Sequence, residues 1–178
     1  MNYLTAKGVL AQEERQFLRT IAAKSVLRSC NAMLNIGVEY GASCACLRAG
    51  NPLGPLYAID LDISKVDPDI PRLTLIEGDS GLLHETWKEN LGVLFVDGSH
   101  SKGGVALDCK LIPWLCVGGI VAFHDCYWQE SIPGQPPEIH RWWSGVNESV
   151  EEWFHAAVGF RELPHIISIR VFERVYVA

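Results

Sequence analysis

The sequence predicts a doubly wound α/β fold with a mainly parallel sheet, Rossmann-like in plan, closed by a C-terminal antiparallel strand pair. Three observations predict it. Short apolar runs recur at residues 32–37, 56–60, 73–77, 93–96 and 120–123, and the later ones end on or run into Asp60, Glu77, Asp97 and His124-Asp125. Segments of helical period fall between most of these runs, the alternation that right-handed crossovers between parallel neighbours require. Residues 159–163 and 166–175 are separated by Pro164-His165, and the second is strongly β-branched, which suits an antiparallel pair at a sheet edge.

Taken in order, Phe17, Leu18, Ile21, Ala22 and Leu27 recur at helical spacing among charges, so residues 11–29 should form an amphipathic helix covering one edge or face of the sheet. The first strand, 32–37, enters the turn Asn35-Ile36-Gly37-Val38-Glu39-Tyr40-Gly41, and a helix follows over 41–49, ended near Gly50-Asn51-Pro52. Residues 56–60 and 73–77 are the second and third strands. A helix over 81–90 leads into the fourth, 93–96. Helical periodicity through Val105, Leu107, Leu111 and Ile112 marks 104–115, and Val117-Gly118-Gly119 turns the chain into the fifth strand at 120–123. A loop rich in Pro and Trp then spans 126–143, followed by a helix over 146–157. In such a sheet ligands bind outside the carboxyl ends of the strands.

At 178 residues the chain matches one domain, 1–178, with residues 1–30 as an N-terminal helical segment. Its 15 Lys+Arg against 21 Asp+Glu give a net charge of -6 with no block of either sign, which argues against a nucleic-acid surface and for a small-molecule partner. No apolar run approaches the ~18 to 20 residues of a membrane helix, and the first residues lack a basic stretch followed by an apolar core. A soluble, cytoplasmic protein is expected; a homo-oligomer stays open. Cys30, Cys44, Cys46, Cys109, Cys116 and Cys126 lack paired CxxC spacing and read as reduced thiols, mostly buried.

Five features coincide at the strand ends: a first turn with Gly37 and Gly41, Asp60 closing the second strand, Gly78-Asp79-Ser80 after the third, Val96-Asp97-Gly98-Ser99-His100 after the fourth, and Phe123-His124-Asp125 after the fifth. Their order resembles class I S-adenosylmethionine-dependent methyltransferases, especially the small O-methyltransferase-like group that includes macrocin O-methyltransferase and the enzymes named cephalosporin hydroxylase. The stretch from Leu94-Phe95-Val96-Asp97-Gly98-Ser99-His100-Ser101 through Gly118-Gly119-Ile120-Val121-Ala122-Phe123-His124-Asp125 carries most of the likeness, which extends over about residues 10–175. The resemblance implies S-adenosylmethionine as cofactor and methyl transfer to a hydroxyl of a small natural product or glycan. Hydride transfer is disfavoured, because the first turn lacks G-x-G-x-x-G. Hydroxylation has no redox cofactor motif to support it. The alternative from another class is a non-catalytic cofactor-binding or interaction domain, since fold alone does not establish function.

Under this resemblance Gly37 and Gly41 let the backbone approach the cofactor, the next helix N-terminus receives its carboxylate, and Tyr40 and Ser43 line the same turn. Asp60, 23 residues beyond Gly37, accepts from the ribose hydroxyls. Asp79 and Ser80 meet the adenine edge, with a helix N-cap as the other reading of either. The family usually carries an acid where Asn35 stands, and Asn35 can offer an ammonium only an amide oxygen. Asp97 serves the cofactor or a metal.

Two reaction schemes fit. In one, Asp97, His124 and Asp125 hold a divalent cation that binds the acceptor oxygen, magnesium being favoured by carboxylates and manganese by the imidazole. In the other, His100 or His124 is the general base without a metal, each with a cofactor contact, helix cap or packing role as its plain alternative. Asp125 stands beside His124 at the reactive centre in both. His84, His140, His155 and His165 read as surface or packing residues. Tyr127, Trp128, Trp142 and Trp143 suit either an aromatic lid over the acceptor or core under the next helix.

Overall fold

A run of five buried residues, Ala32–Ile36, forms β1 at the centre of the sheet, where both faces are covered and no polar alternation is needed. The computed structural model describes residues 2–26, 30–127 and 140–176, with backbone alone over 140–144. In chain order, α1 (Gln12–Ser25) precedes β1, and α2 (Ala42–Gly50), β2 (Leu56–Asp60) and β3 (Leu73–Glu77) follow. Next come a single-turn α3 (Ser80–Leu83), β4 (Leu91–Val96), α4 (Lys102–Asp108) and a 3-10 segment (Cys109–Trp114). The chain ends with β5 (Leu115–Phe123), α5 (His140–Ala156), β6 (Phe160–Ile166) and β7 (Ile169–Arg174).

The seven strands lie in the order β3-β2-β1-β4-β5-β7-β6, parallel as far as β5, with β7 and β6 antiparallel. This is the expected α/β sheet with its terminal hairpin at one edge. Alternate residues of each central strand feed two cores: Met33, Phe95 and Ala122 pack with α1 and α2, whereas Leu34, Leu94 and Val121 pack with residues of α4 and α5. The strand order reverses between the parallel neighbours β1 and β4, so the connections leaving their carboxyl ends diverge and open a crevice there.

Several boundaries differ from those expected. The helix expected over 81–90 is one turn long, after which the amide of Trp87 donates to the Leu83 carbonyl and the buried indole donates to Glu89 O at 2.7 Å, turning the chain into β4. The 104–115 helix tightens to 3-10 geometry from Cys109, in a segment that contains Pro113. β5 begins at Leu115, with Gly118 and Gly119 inside it, and α5 begins at His140 rather than at 146. Pro164 lies within β6, an edge strand where a missing donor is tolerated; the hairpin turns instead at Ile167-Ser168, with Ile167 at φ 52°. No helix joins β2 to β3. Residues 2–11 are turns and bends rather than helix, and Leu27 lies outside the described residues.

That N-terminal segment is nonetheless fixed. The Arg15 guanidinium, 4% exposed, donates to the carbonyls of Tyr3, Ala6, Gly8 and Leu10 at 2.9–3.0 Å. Among the described residues no helix is long and apolar enough to cross a membrane. None of the six cysteines is in a disulfide, and burial pushes the thiols of Cys44, Cys46 and Cys126 up to about 12, as expected of inert core groups.

Candidate functional site

The carboxyl ends of β1, β2, β4 and β5, with the loop after β3, open into a cavity of about 990 Å³. One half is a main-chain cradle. Gly37 has φ +78°, and a Cβ on it would lie 2.0 Å from the Asp97 carbonyl oxygen, so only glycine lets the β1 loop pass the β4 loop. Gly41, at φ +91°, is the N-cap of α2 and would drive a Cβ to 2.8 Å from Ile70. Tyr40 and Ser43 line the cavity beside it, with the Lys7 ammonium 3.6 Å over the Tyr40 ring.

Asp60 closes this half from β2. Its Oδ2 accepts from the amides of Val38 at 2.6 Å and Glu39 at 3.2 Å, and its Oδ1 accepts from Asp62 N. Burial works against its charge, but the Val38, Asp62 and Glu39 amides outweigh burial and hold the carboxyl below its usual value. Asp60 therefore shapes the glycine turn as well as facing the cavity. Asp79 is the N-cap of α3, its Oδ1 accepting from Gly81 N at 2.9 Å, and it lines the cavity together with Ser80. Behind them Asp108 is 1% exposed, and burial pushes its carboxyl up to about 6 against the opposing contact with Ser80.

Asn35 is not a cavity residue. Fully buried on the face of β1 that meets α2, it donates to the Gly37 carbonyl at 2.9 Å and lies 3.5 Å from Cys44 Sγ, so it braces the turn from beneath. Its amide nitrogen is thereby spent on the turn, and its Oδ1 is buried with no hydrogen-bond partner among the described residues.

The other half is acidic. β4 runs into Asp97 and β5 into His124-Asp125, with Asp125 at φ 57°. His124 Nδ1 lies 3.1 Å from Asp97 Oδ1 and 3.2 Å from Asp125 Oδ2, and His100 Nε2 lies 3.1 Å from Asp125 Oδ2. Close packing of α5 helps to set the His100 loop: a Cβ on Gly145 would stand 2.7 Å from the His100 carbonyl. On its far side His124 Nε2 lies 3.3 Å from Glu14 Oε2.

Charge follows from this geometry. Burial disfavours an imidazolium at His124, but hydrogen bonds to Asp125, Asp97 and Glu14 outweigh burial and push it up to about 12. Asp125 and Asp97 likewise push His100 up to about 9, against burial. Burial alone would raise the Asp125 carboxyl, and His100 and His124 instead hold it far below its usual value. Without a cation these contacts favour the imidazolium form of both rings, from which a general base must first lose a proton. As a donor set, Asp97, His124 and Asp125 offer three ligand atoms within 4.8 Å of one another, the spacing of positions around one cation.

Sequence reading missed Glu14, Arg15, Gly8–Ala11 and Ser168, all of which wall or brace the reactive half. A signal existed for the first: Glu14 falls on the same helical stripe as Leu18, Ile21, Ala22 and Ser25, and an acid on a buried stripe wants a partner. Tyr127 lines the cavity with its ring 4.7 Å from that of His165. Trp128 lies outside the described residues, and so do the side chains of Trp142, Trp143 and His140. His84 bonds locally to the Gly81 carbonyl, and His155 lies on α5 away from the cleft.

A family model described as a methyltransferase domain matches residues 34–126, just over half the chain. No curated protein matches it by sequence. Among solved structures, the SAH-bound methyltransferase PaMTH1 of Podospora anserina superposes with TM-score 0.70 at 14% identity, over 93% of this chain and 80% of that one. MycE, a methyltransferase of the mycinamycin biosynthetic pathway in complex with Mg, SAH and mycinamycin VI, gives 0.66 at 21%, over 97% of this chain and 52% of that one. CalS11, a TDP-rhamnose 3'-O-methyltransferase of calicheamicin biosynthesis, gives 0.61 at 18%, over 91% and 79%.

Proposed function

The chain belongs to the methyltransferase family, and from that premise we propose that it is an S-adenosylmethionine-dependent O-methyltransferase acting on a hydroxyl of a small natural product or glycan. One observation carries this reading: the glycine cradle with Asp60 and the Asp97/His100/His124/Asp125 cluster open into a single cavity. The cradle suits the cofactor because Gly37 and Gly41 leave space that a Cβ would fill, and the N-terminus of α2 adds favourable polarity for a carboxylate. The acceptor class is supported by CalS11, a TDP-rhamnose 3'-O-methyltransferase, and by MycE, seen in complex with mycinamycin VI.

When bound, the sulfonium supplies an electrophilic methyl group, which an acceptor oxygen takes in an in-line displacement. The protein contributes placement and proton removal. His100 is the residue we assign to take the proton, a role supported by its lining the cavity and its one-third exposure. It is held cationic by Asp125 and Asp97, so it becomes a base only where those carboxylates are neutralised. Asp97, His124 and Asp125 would hold a divalent cation, manganese or magnesium, which when bound lowers the pKa of a coordinated hydroxyl. Tyr127 then offers an aromatic face to the acceptor at the mouth.

Calorimetry with S-adenosylmethionine and S-adenosylhomocysteine, with and without Mn2+ or Mg2+, tests the proposal. Saturable binding of both nucleosides is expected. Binding of neither overturns it and leaves a non-catalytic domain of the same fold.

A further inference from the structure

We propose that Glu14, carried in by the N-terminal helix, is the positioning residue of the cation site: it accepts the Nε2–H of His124 and so presents the lone pair of Nδ1 to the gap between Asp97 and Asp125. The inference rests on the reading that a divalent cation occupies that gap. An imidazole binds a metal through one nitrogen, and which nitrogen is free depends on what the other one meets. Here the two sides of the ring differ. Nδ1 faces Asp97 Oδ1 and Asp125 Oδ2 at 3.1 and 3.2 Å, on the cavity side, while among the described residues Nε2 faces Glu14 Oε2 alone, at 3.3 Å.

Glu14 is fixed for this task. It is 3% exposed, and both its oxygens are engaged: Oε1 accepts from the Ser168 hydroxyl at 2.7 Å and the Ser168 amide at 3.3 Å, and Oε2 also accepts from Ala11 N at 3.0 Å. A carboxylate gripped from the start of α1 and from the β6–β7 turn cannot swing inward to become a ligand itself. Its remaining capacity goes to the His124 ring. The result is a carboxylate–imidazole relay spanning 110 residues of sequence, which places a nitrogen among oxygen donors and favours manganese over magnesium.

The test uses the full chain and Mn2+ as probe, comparing wild type, Glu14→Gln, His124→Asp and the double variant by calorimetry and pulsed EPR of bound Mn2+. Wild type should bind Mn2+ and show 14N coupling from the imidazole. Glu14→Gln should bind it about 10- to 100-fold more weakly and lose that coupling, with S-adenosylhomocysteine affinity unchanged. In the His124→Asp background the Glu14 substitution should cost nothing further. No Mn2+ binding by wild type overturns the cation reading and Glu14's role with it. Binding by wild type with undiminished affinity and coupling in Glu14→Gln overturns the Glu14 role alone. Equal losses of Mn2+ and S-adenosylhomocysteine binding, or a further loss in the double variant, assign Glu14 a purely structural part and overturn it as well.

Discussion

The glycine-turn half of the cleft is held by main-chain groups of one loop and a single carboxylate from the next strand, whereas the acidic half is held by side chains drawn from residues 14, 97, 100, 124, 125 and 168. Main-chain cradles need glycine at fixed offsets and leave a mark within a few residues of sequence. Side-chain clusters assembled across the fold leave marks scattered along the chain, each ambiguous alone. The two halves should therefore fail differently when altered: the first by losing shape, the second by losing charge balance.

The largest effect is expected in the acidic half. Asp97→Ala and Asp125→Ala should each lower kcat/KM by about 10³-fold or more, with S-adenosylmethionine binding partly retained in Asp125→Ala. Unchanged turnover in a radiolabelled methyl-transfer assay would remove Asp125 from the site. His100→Ala should cost about 10²- to 10³-fold in kcat, with cofactor affinity by calorimetry unmoved. In the other half, Gly37→Ala must displace the Asp97 carbonyl and adopt positive φ, so a stability loss of about 3 kcal/mol and loss of cofactor binding are expected; normal denaturation and binding would show the two loops to be independent.

The smallest effect concerns the border of the two halves. Asp108 has its folded pKa raised from 3.8 to about 6, so the relative stability of its protonated form is fully present below pH 3.8 and lost as pH rises through about 6. Asp108→Asn should consequently gain on wild type across that window, by roughly 2–3 kcal/mol at pH 7.5. Urea unfolding of both proteins at pH 4 and pH 7.5 checks the sign. A difference independent of pH would show the carboxyl to be relieved by a partner.

The same contrast explains what could be read in advance. The mainly parallel sheet follows from apolar runs separated by helix-period segments, and Gly37, Asp60, Asp97, His100, His124 and Asp125 all reach one cavity as their places at strand ends implied. Asn35 differs from these: motif position does not reveal side-chain direction, and the residue is buried beneath the turn rather than lining the cavity. Glu14 and Ser168 were invisible for a different reason: their meeting with His124 depends on how α1 and the terminal hairpin dock, contacts made over 110 and 154 residues of separation. The short α3 and the displaced hairpin turn were lost to local capping and edge-strand tolerance, which outweigh periodicity over so few residues.

Arg15 carries one more consequence. A guanidinium is all donors and no acceptor, so the four carbonyls of residues 3–10 are the counterpart without which the helix behind the reactive cluster cannot dock comfortably. For anyone expressing or engineering this protein, the working boundary therefore lies before Tyr3, not at the start of α1. A clone begun at residue 11 would keep every residue of the cluster and still strand a cation beneath it.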